Sequence, residues 1–140
     1  MFVRQISVFM ENKAGMLGKI TSVLKRENID IRAFSIADQP EFGIFRIIVK
    51  DTERAVSVLR AEGMTAQTNR VIVTEICDKT GSFDSLVEPV CSRGIDIKYL
   101  YSFIGEKANC GRVVLCADNM ELACEALKEN GFVIFDEAEL

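Results

Sequence analysis

The sequence predicts an α+β protein built from two tandem ferredoxin-like βαββαβ domains with antiparallel sheets, residues 1–69 and 70–140. Three observations carry this. The chain matches itself at an offset of 66: Ile6 meets Ile72, Asn12-Lys13-Ala14-Gly15 meets Asp78-Lys79-Thr80-Gly81, and Asn28-Ile29-Asp30-Ile31 meets Gly94-Ile95-Asp96-Ile97. Each half alternates strand-like apolar runs with helix-like periodicity in the same order. No Pro-, Gly- or Ser-rich stretch separates the halves, so two domains packed without a linker are expected.

The first half opens with Val3–Met10, β-branched and apolar, a strand. After the loop Glu11–Gly15, residues Met16, Leu17, Ile20, Val23 and Leu24 recur at helical spacing, and Ile6 and Val8 are expected beneath Leu17, Ile20 and Leu24. Asn28 suits a left-handed helix stop. Strands over Ile29–Ala37 and Gly43–Lys50 flank the turn at Asp38-Gln39-Pro40-Glu41. Asp51 or Thr52 caps a second helix that Gly63 ends, and Met64–Thr68 is a last short strand.

The second half reads alike: strand Arg70–Cys77, helix Phe83–Ser92, strands Asp96–Ile104 and Gly111–Cys116, helix Met120–Glu129 and strand Phe132–Phe135. Arg46-Ile47-Ile48-Val49 is matched with Arg112-Val113-Val114-Leu115, whereas Leu59 and Gly63 meet Leu127 and Gly131 at an offset of 68. This puts two extra residues after the third strand of the second half. Pro89 falls inside the third helix and is expected to kink or shorten it.

Composition excludes several chemistries. With 140 residues, 49% apolar and 27% charged, the chain is globular and long enough for a real core. A net charge of −4 disfavours nucleic acid and anionic membranes, and no apolar run approaches the length of a membrane helix. Neither a membrane association nor a signal peptide is expected. The sequence has no histidine, which removes Ser-His-Asp and Cys-His catalysis and imidazole metal ligands. Its five cysteines, Cys77, Cys91, Cys110, Cys116 and Cys124, include no Cys-x-x-Cys spacing. They read as small hydrophobes in a reducing, cytoplasmic compartment, so five free thiols, no metal and no cofactor are expected. Phe42-Gly43-Ile44-Phe45 has a superficial likeness to the aromatic strand of an RNA-binding domain, but the charge is wrong and the second half lacks the aromatics.

The informative segment is Met10-Glu11-Asn12-Lys13-Ala14-Gly15-Met16-Leu17, which joins a strand to a helix start. Amide groups and the positive end of the helix dipole gather there, which suits a carboxylate or phosphate. The bland alternative is a tight turn with a capping Asn. Asp30 and Asp96 take equivalent places in Ile-Asp-Ile; each is a solvated strand charge or an acceptor for a ligand's ammonium group.

The run Asn12-Lys13-Ala14-Gly15-Met16-Leu17-Gly18-Lys19-Ile20-Thr21-Ser22-Val23-Leu24, followed by Asn28-Ile29-Asp30-Ile31, resembles an ACT domain, a small βαββαβ module that binds amino acids and regulates metabolic enzymes. Ala14 stands where the family usually has proline, and the glycine is kept. The likeness covers nearly the whole chain as two copies, most similar to stand-alone tandem ACT proteins of bacteria.

The resemblance implies a regulatory protein without catalysis, which senses a free amino acid at an interface between two ACT domains. It further implies a homodimer, with an enzyme of amino-acid metabolism as a partner. Carried over residue by residue, it points to Met10, Asn12, Ala14, Gly15, Met16, Leu17 and Asp30 as ligand-binding. Asp78, Gly81, Asp96 and Tyr101 follow from the second half, whose loop departs further from the family pattern. The alternatives are a ligand-free interaction module that docks on a metabolic enzyme, and a small phosphatase. The latter would want a loop arginine, where Glu11–Gly15 offers only Lys13.

Overall fold

The computed structural model describes residues 2–11 and 13–140. The chain divides into two compact units, one of Arg4–Asn69 and one of Arg70–Leu140 joined by the N-terminal residues up to Val3. The elements in order are β1 (Val3–Glu11), α1 (Met16–Arg26), β2 (Ile31–Asp38), β3 (Phe42–Val49), α2 (Thr52–Ala61) and β4 (Thr65–Cys77). They continue with α3 (Ser82–Cys91), β5 (Ile97–Ile104), β6 (Cys110–Ala117), α4 (Met120–Glu129) and a short 3-10 helix at Glu137–Glu139. This follows the βαββαβ pattern of each half in antiparallel ladders, with β4 serving as the last strand of the first half and the first strand of the second, and the final strand reduced to one bridge at Phe135.

In the first unit β3 lies between β2 and β1. Ile6 faces Ile47 and Val8 faces Phe45, while Phe34 and Ile36 of β2 face Ile47 and Phe45 from the other side. Alternate residues Ile6, Val8 and Met10 and Phe45, Ile47 and Val49 turn toward the helices. There they pack with Ile20, Val23 and Leu24 of α1 and Ala55, Val56 and Leu59 of α2. Complete burial of an Ile or Leu side chain contributes about 1.5–3 kcal/mol. Leu17 is the exception to the expected stripe: it is 37% exposed, and its neighbour Met16 packs against the core instead.

The second unit repeats this with β6 between β5 and β4. Ile72, Leu86, Val90, Leu115, Ala123 and Leu127 are fully buried. Both second strands carry a β-bulge at the same step, between Ile31 and Ala33 and between Ile97 and Tyr99. Helix stops repeat too. Asn28 is left-handed at φ 56°, and the amide of Ile29 donates to the Leu24 carbonyl; the amide of Ile95 donates likewise to Val90.

Three sequence expectations are corrected. First, Leu115 faces Leu100 and Gly111 faces Ile104, as Ile47 faces Phe34 and Gly43 faces Asp38. The offset of 68 therefore holds already in β6, and the two extra residues lie in the β5–β6 hairpin, before the third strand. A slip of two leaves every side chain on its face, so the apolar pattern alone accepted either register.

Second, Pro89, expected to kink or shorten its helix, does not end it. α3 runs to Cys91 with Pro89 on its buried face, and the Ser92 amide still donates to the Glu88 carbonyl. Third, Phe132–Phe135 is not a strand. Only Phe135 enters the ladder, opposite Val73, and the Asp136–Glu139 capping box then turns the following backbone into a 3-10 helix. This segment is held by side chains instead. The Thr74 hydroxyl donates to the Val133 carbonyl at 2.7 Å, and the buried Arg112 guanidinium lies 4.4 Å from the Phe135 ring centre and donates to the Glu139 carbonyl. No helix among the described residues is long and apolar enough to cross a membrane.

Candidate functional site

The two strand-to-helix entrances have the same construction. In the first, the Lys13 amide donates to the Glu11 carbonyl at 2.7 Å, Met16 to Lys13 at 3.4 Å and Lys19 to Gly15 at 3.0 Å. In the second, Lys79 donates to Cys77 at 2.9 Å, Ser82 to Lys79 at 3.2 Å and Ser85 to Gly81 at 3.0 Å. Gly15 and Gly81 are the residues before the helices, at φ 86° and 88°. A Cβ added at either meets nothing within 4 Å, so glycine is required for its backbone conformation and its outer side stays open.

The other two helices begin differently. The Asp51 carboxylate accepts from the Arg54 amide, and the Asn119 side chain from the Leu122 amide, each at 3.1 Å. α2 and α4 are thus closed by their own chain. Glycine has no side chain to cap with, and the Ser82 amide is taken by the Lys79 carbonyl, so at α3 the next amides, of Phe83 and Asp84, have no side-chain cap and an anion is favoured there.

A cavity of about 550 Å³ opens beside the second entrance. Asp78, Lys79, Ser82 and Phe83 form one wall, and Phe103, Ile104, Asn109 and Cys110, from β5 and β6 and their hairpin, form the other. This volume lies in the usual range for small-molecule sites. Lys79 and the α3 amides offer donors to a carboxylate, Asp78 offers an acceptor to an ammonium group, and Phe83 and Ile104, 52% and 94% exposed, offer apolar surface.

The first entrance differs in its charges. Lys13 Nζ lies 2.6 Å from Glu11 Oε2, and the hydrogen bond and charge of each partner lower the pKa of Glu11 and raise that of Lys13. At the matching position of the second entrance stands Cys77, which offers Lys79 no carboxylate.

The residues singled out in the sequence are placed as follows. Met10 has its side chain buried in the core with Ile6 and Val8, which leaves only its backbone at the loop. Asn12 lies outside the described residues. Ala14, Gly15 and Leu17 are exposed at the first entrance, and Met16 is half-buried. Asp30 is not brought to that loop within its unit. It follows the far end of α1, an eleven-residue helix of about 16 Å, and pairs with Arg32 at 3.2 Å. There it lines a separate cavity of about 390 Å³ with Thr21, Lys25 and Asn28.

Asp78 and Gly81 are together at the second entrance. Asp96 follows the far end of α3, where its amide donates to the Asp118 carboxylate and its carbonyl accepts from the Asp118 amide. Tyr101 is half-buried on β5 opposite Val114, two residues before the cavity's Phe103. Sequence reasoning missed Phe103, Ile104, Asn109 and Cys110. The signal that finds them is the hairpin register, which returns β6 to the end of β4 next to the loop.

A family model described as an ACT domain pair matches residues 1–140. Among solved structures, a protein from Bacteroides thetaiotaomicron is 32% identical, with a TM-score of 0.88 over 96% of this chain and 92% of that one. The ligand-free regulatory subunit of aspartate kinase from Thermus thermophilus is 19% identical, with a TM-score of 0.65 over 91% of this chain and 92% of that one. The same subunit from Thermus flavus is 16% identical, with a TM-score of 0.63 and 91% of both chains covered. These last two share the fold. Among curated proteins none matches.

Proposed function

For this chain, which belongs to the ACT domain pair family, we propose a regulatory protein that binds a free amino acid and acts through that binding, without chemistry of its own. The observation that carries the reading is the cavity at the second entrance, where Lys79, Asp78 and an uncapped helix start converge beside Phe83 and Ile104. An α-amino acid presents a carboxylate, an ammonium group and a side chain, and the three parts of the cavity match them. The entrance at Ala14–Leu17 has the same backbone and is the second candidate site. The partner is an enzyme of amino-acid metabolism, in the cytoplasm.

Calorimetry across the twenty amino acids tests this. The expected result is one ligand, or a small related group, with a dissociation constant of about 1 μM to 1 mM, the range of roughly −8 to −4 kcal/mol. Lys79→Ala and Asp78→Asn should each weaken it by about 1–3 kcal/mol while the fold is kept. If no amino acid binds at millimolar concentration, the protein is a ligand-free interaction module instead.

One observation favours association in either case. Phe34 and Ile36, on the outer strand β2, are 66% and 51% exposed. A second copy covering them makes the protein a homodimer. Light scattering at micromolar concentration should then show a dimer for the wild type and a monomer for the double variant Phe34→Glu, Ile36→Glu.

A further inference from the structure

Cys77 ends β4 and Cys110 begins β6, directly opposite each other in the antiparallel ladder. The surrounding hydrogen bonds settle what kind of rung this is. The Asp78 amide donates to the Asn109 carbonyl at 2.7 Å, which makes the adjacent rung the bonded one. The Cys110 amide donates to the Lys107 carbonyl, and the Cys77 carbonyl accepts from the Lys79 amide, so neither is spent across the rung. In such a non-hydrogen-bonded pair the Cα atoms are about 4.5 Å apart and the side chains closest, a separation that a disulfide spans without backbone movement. The two Sγ atoms are 3.6 Å apart, with Cys110 donating to Cys77.

Access differs among the five thiols. Cys116 and Cys124 are buried, Cys91 stands exposed on α3, Cys77 is exposed and Cys110 half-buried at the cavity wall. In the first unit the same rung is Glu11 and Phe42, so the sulfur pair is peculiar to the second.

We propose that Cys77 and Cys110 form a reversible thiol-oxidation site whose co-substrate is a small-molecule disulfide. The Cys77 thiolate attacks one sulfur of that disulfide; its S–S bond breaks, and one thiolate departs with the electron pair and takes up a proton. Cys110 then loses its proton and attacks Cys77 Sγ, which expels the second small thiol as the Cys77–Cys110 bond forms. Two protein thiols are oxidised, one small disulfide is reduced to two thiols, and both protein protons end on those thiols. Desolvation, followed by its hydrogen bond to Cys77, pushes the Cys110 thiol's pKa up. An exposed rung is also open to reductant, which makes the bond reversible. The site does not depend on what the cavity binds.

The test uses the full chain, reduced and then incubated with oxidised glutathione. Remaining thiols are blocked with N-ethylmaleimide before intact-mass and peptide analysis. The expected product has lost two hydrogens, carries three blocked cysteines of the five, contains a linked Cys77–Cys110 peptide, and reverts with dithiothreitol. Cys110→Ser, with an unchanged circular dichroism spectrum, should stop at a stable glutathione adduct on Cys77. Cys91→Ser should close as the wild type does. Five blocked thiols after incubation, a lasting glutathione adduct on the wild type, or a bond between any other pair would each overturn the proposal.

Discussion

Gly15 and Gly81 hold the same left-handed backbone, φ 86° and 88°, at the same step before two different helices. Neither is packed against anything a Cβ would strike. Conformation alone demands glycine there, and that makes the requirement measurable. Gly15→Ala and Gly81→Ala should each cost about 1–2 kcal/mol in urea denaturation, the strain of a left-handed L-residue. Asn tolerates this region better, so Gly81→Asn should cost visibly less than Gly81→Ala. Equal costs would mean that something other than φ is at stake.

Leu17 and Leu24 separate the outside of α1 from its inside. Leu24 is 1% exposed in the core and Leu17 is 37% exposed. Leu24→Ala should lose about 2–5 kcal/mol through lost burial and the cavity left behind. Leu17→Ala should lose less than about 1 kcal/mol. Chemical denaturation of the two variants side by side decides between this arrangement and the apolar stripe read from the sequence.

The side-chain caps of the other two helices should be expendable only at a cost. Asp51→Ala and Asn119→Ala each remove an acceptor from a first-turn amide, at 3.1 Å in both helices. Each should destabilise the fold by about 1 kcal/mol, and replacement by Ser should restore most of it. Thermal unfolding of the Ala and Ser variants measures the difference.

Glu11 and Lys13 set a pH signature on the first entrance. The Lys13 ammonium, by hydrogen bond and then by charge, holds the Glu11 carboxyl below its ordinary pKa. A carboxyl whose folded pKa is lowered adds stability above its unfolded pKa and loses it as pH falls through the folded value. Lys13→Ala should therefore raise the Glu11 pKa in an NMR titration and remove that acid-side loss. Both groups are exposed, so the effect should shrink in high salt.

Much of the fold was legible because it is periodic. Ile6, Val8, Ile20 and Leu24, and their counterparts in the second half, alternate or recur at spacings that only a buried strand face or helix stripe explains. The left-handed stop at Asn28 was equally open to reading, since few residue types sit there without strain. What escaped depends on information that is not periodic. The β6 register hid behind a shift of two, which preserves parity. Leu17 lay at the edge of an apolar stripe whose limit is set by the neighbouring sheet. Pro89 sits near the last turn of α3, where few hydrogen bonds remain to be broken. The strand expected at Phe132–Phe135 shrinks to one bridge, with the Val133 carbonyl taken by the Thr74 hydroxyl instead of a ladder amide.

The site was legible only as far as it is local. The loop, the glycine and the helix start are contiguous in sequence, and the structure keeps them together. Met10 ends up with its side chain in the core, since a strand's last core residue and a loop's first residue look alike in sequence. Asp30 and Asp96 follow the opposite ends of their helices from the glycines. The far wall of the cavity, Phe103 to Cys110, is contributed by a hairpin some twenty residues downstream, and nothing in its own composition points to Asp78 or Lys79.

The rung that is Glu11 and Phe42 in one unit and Cys77 and Cys110 in the other speaks to ancestry. A domain that is copied within one gene carries two versions of each position, and one is released from the task the other still performs. Here the backbone of the entrance was kept in both halves while the chemistry beside it parted, a charged pair in one and a thiol pair in the other. The halves of this chain are thus unequal siblings, alike in the backbone of their entrances and unlike in the side chains beside them.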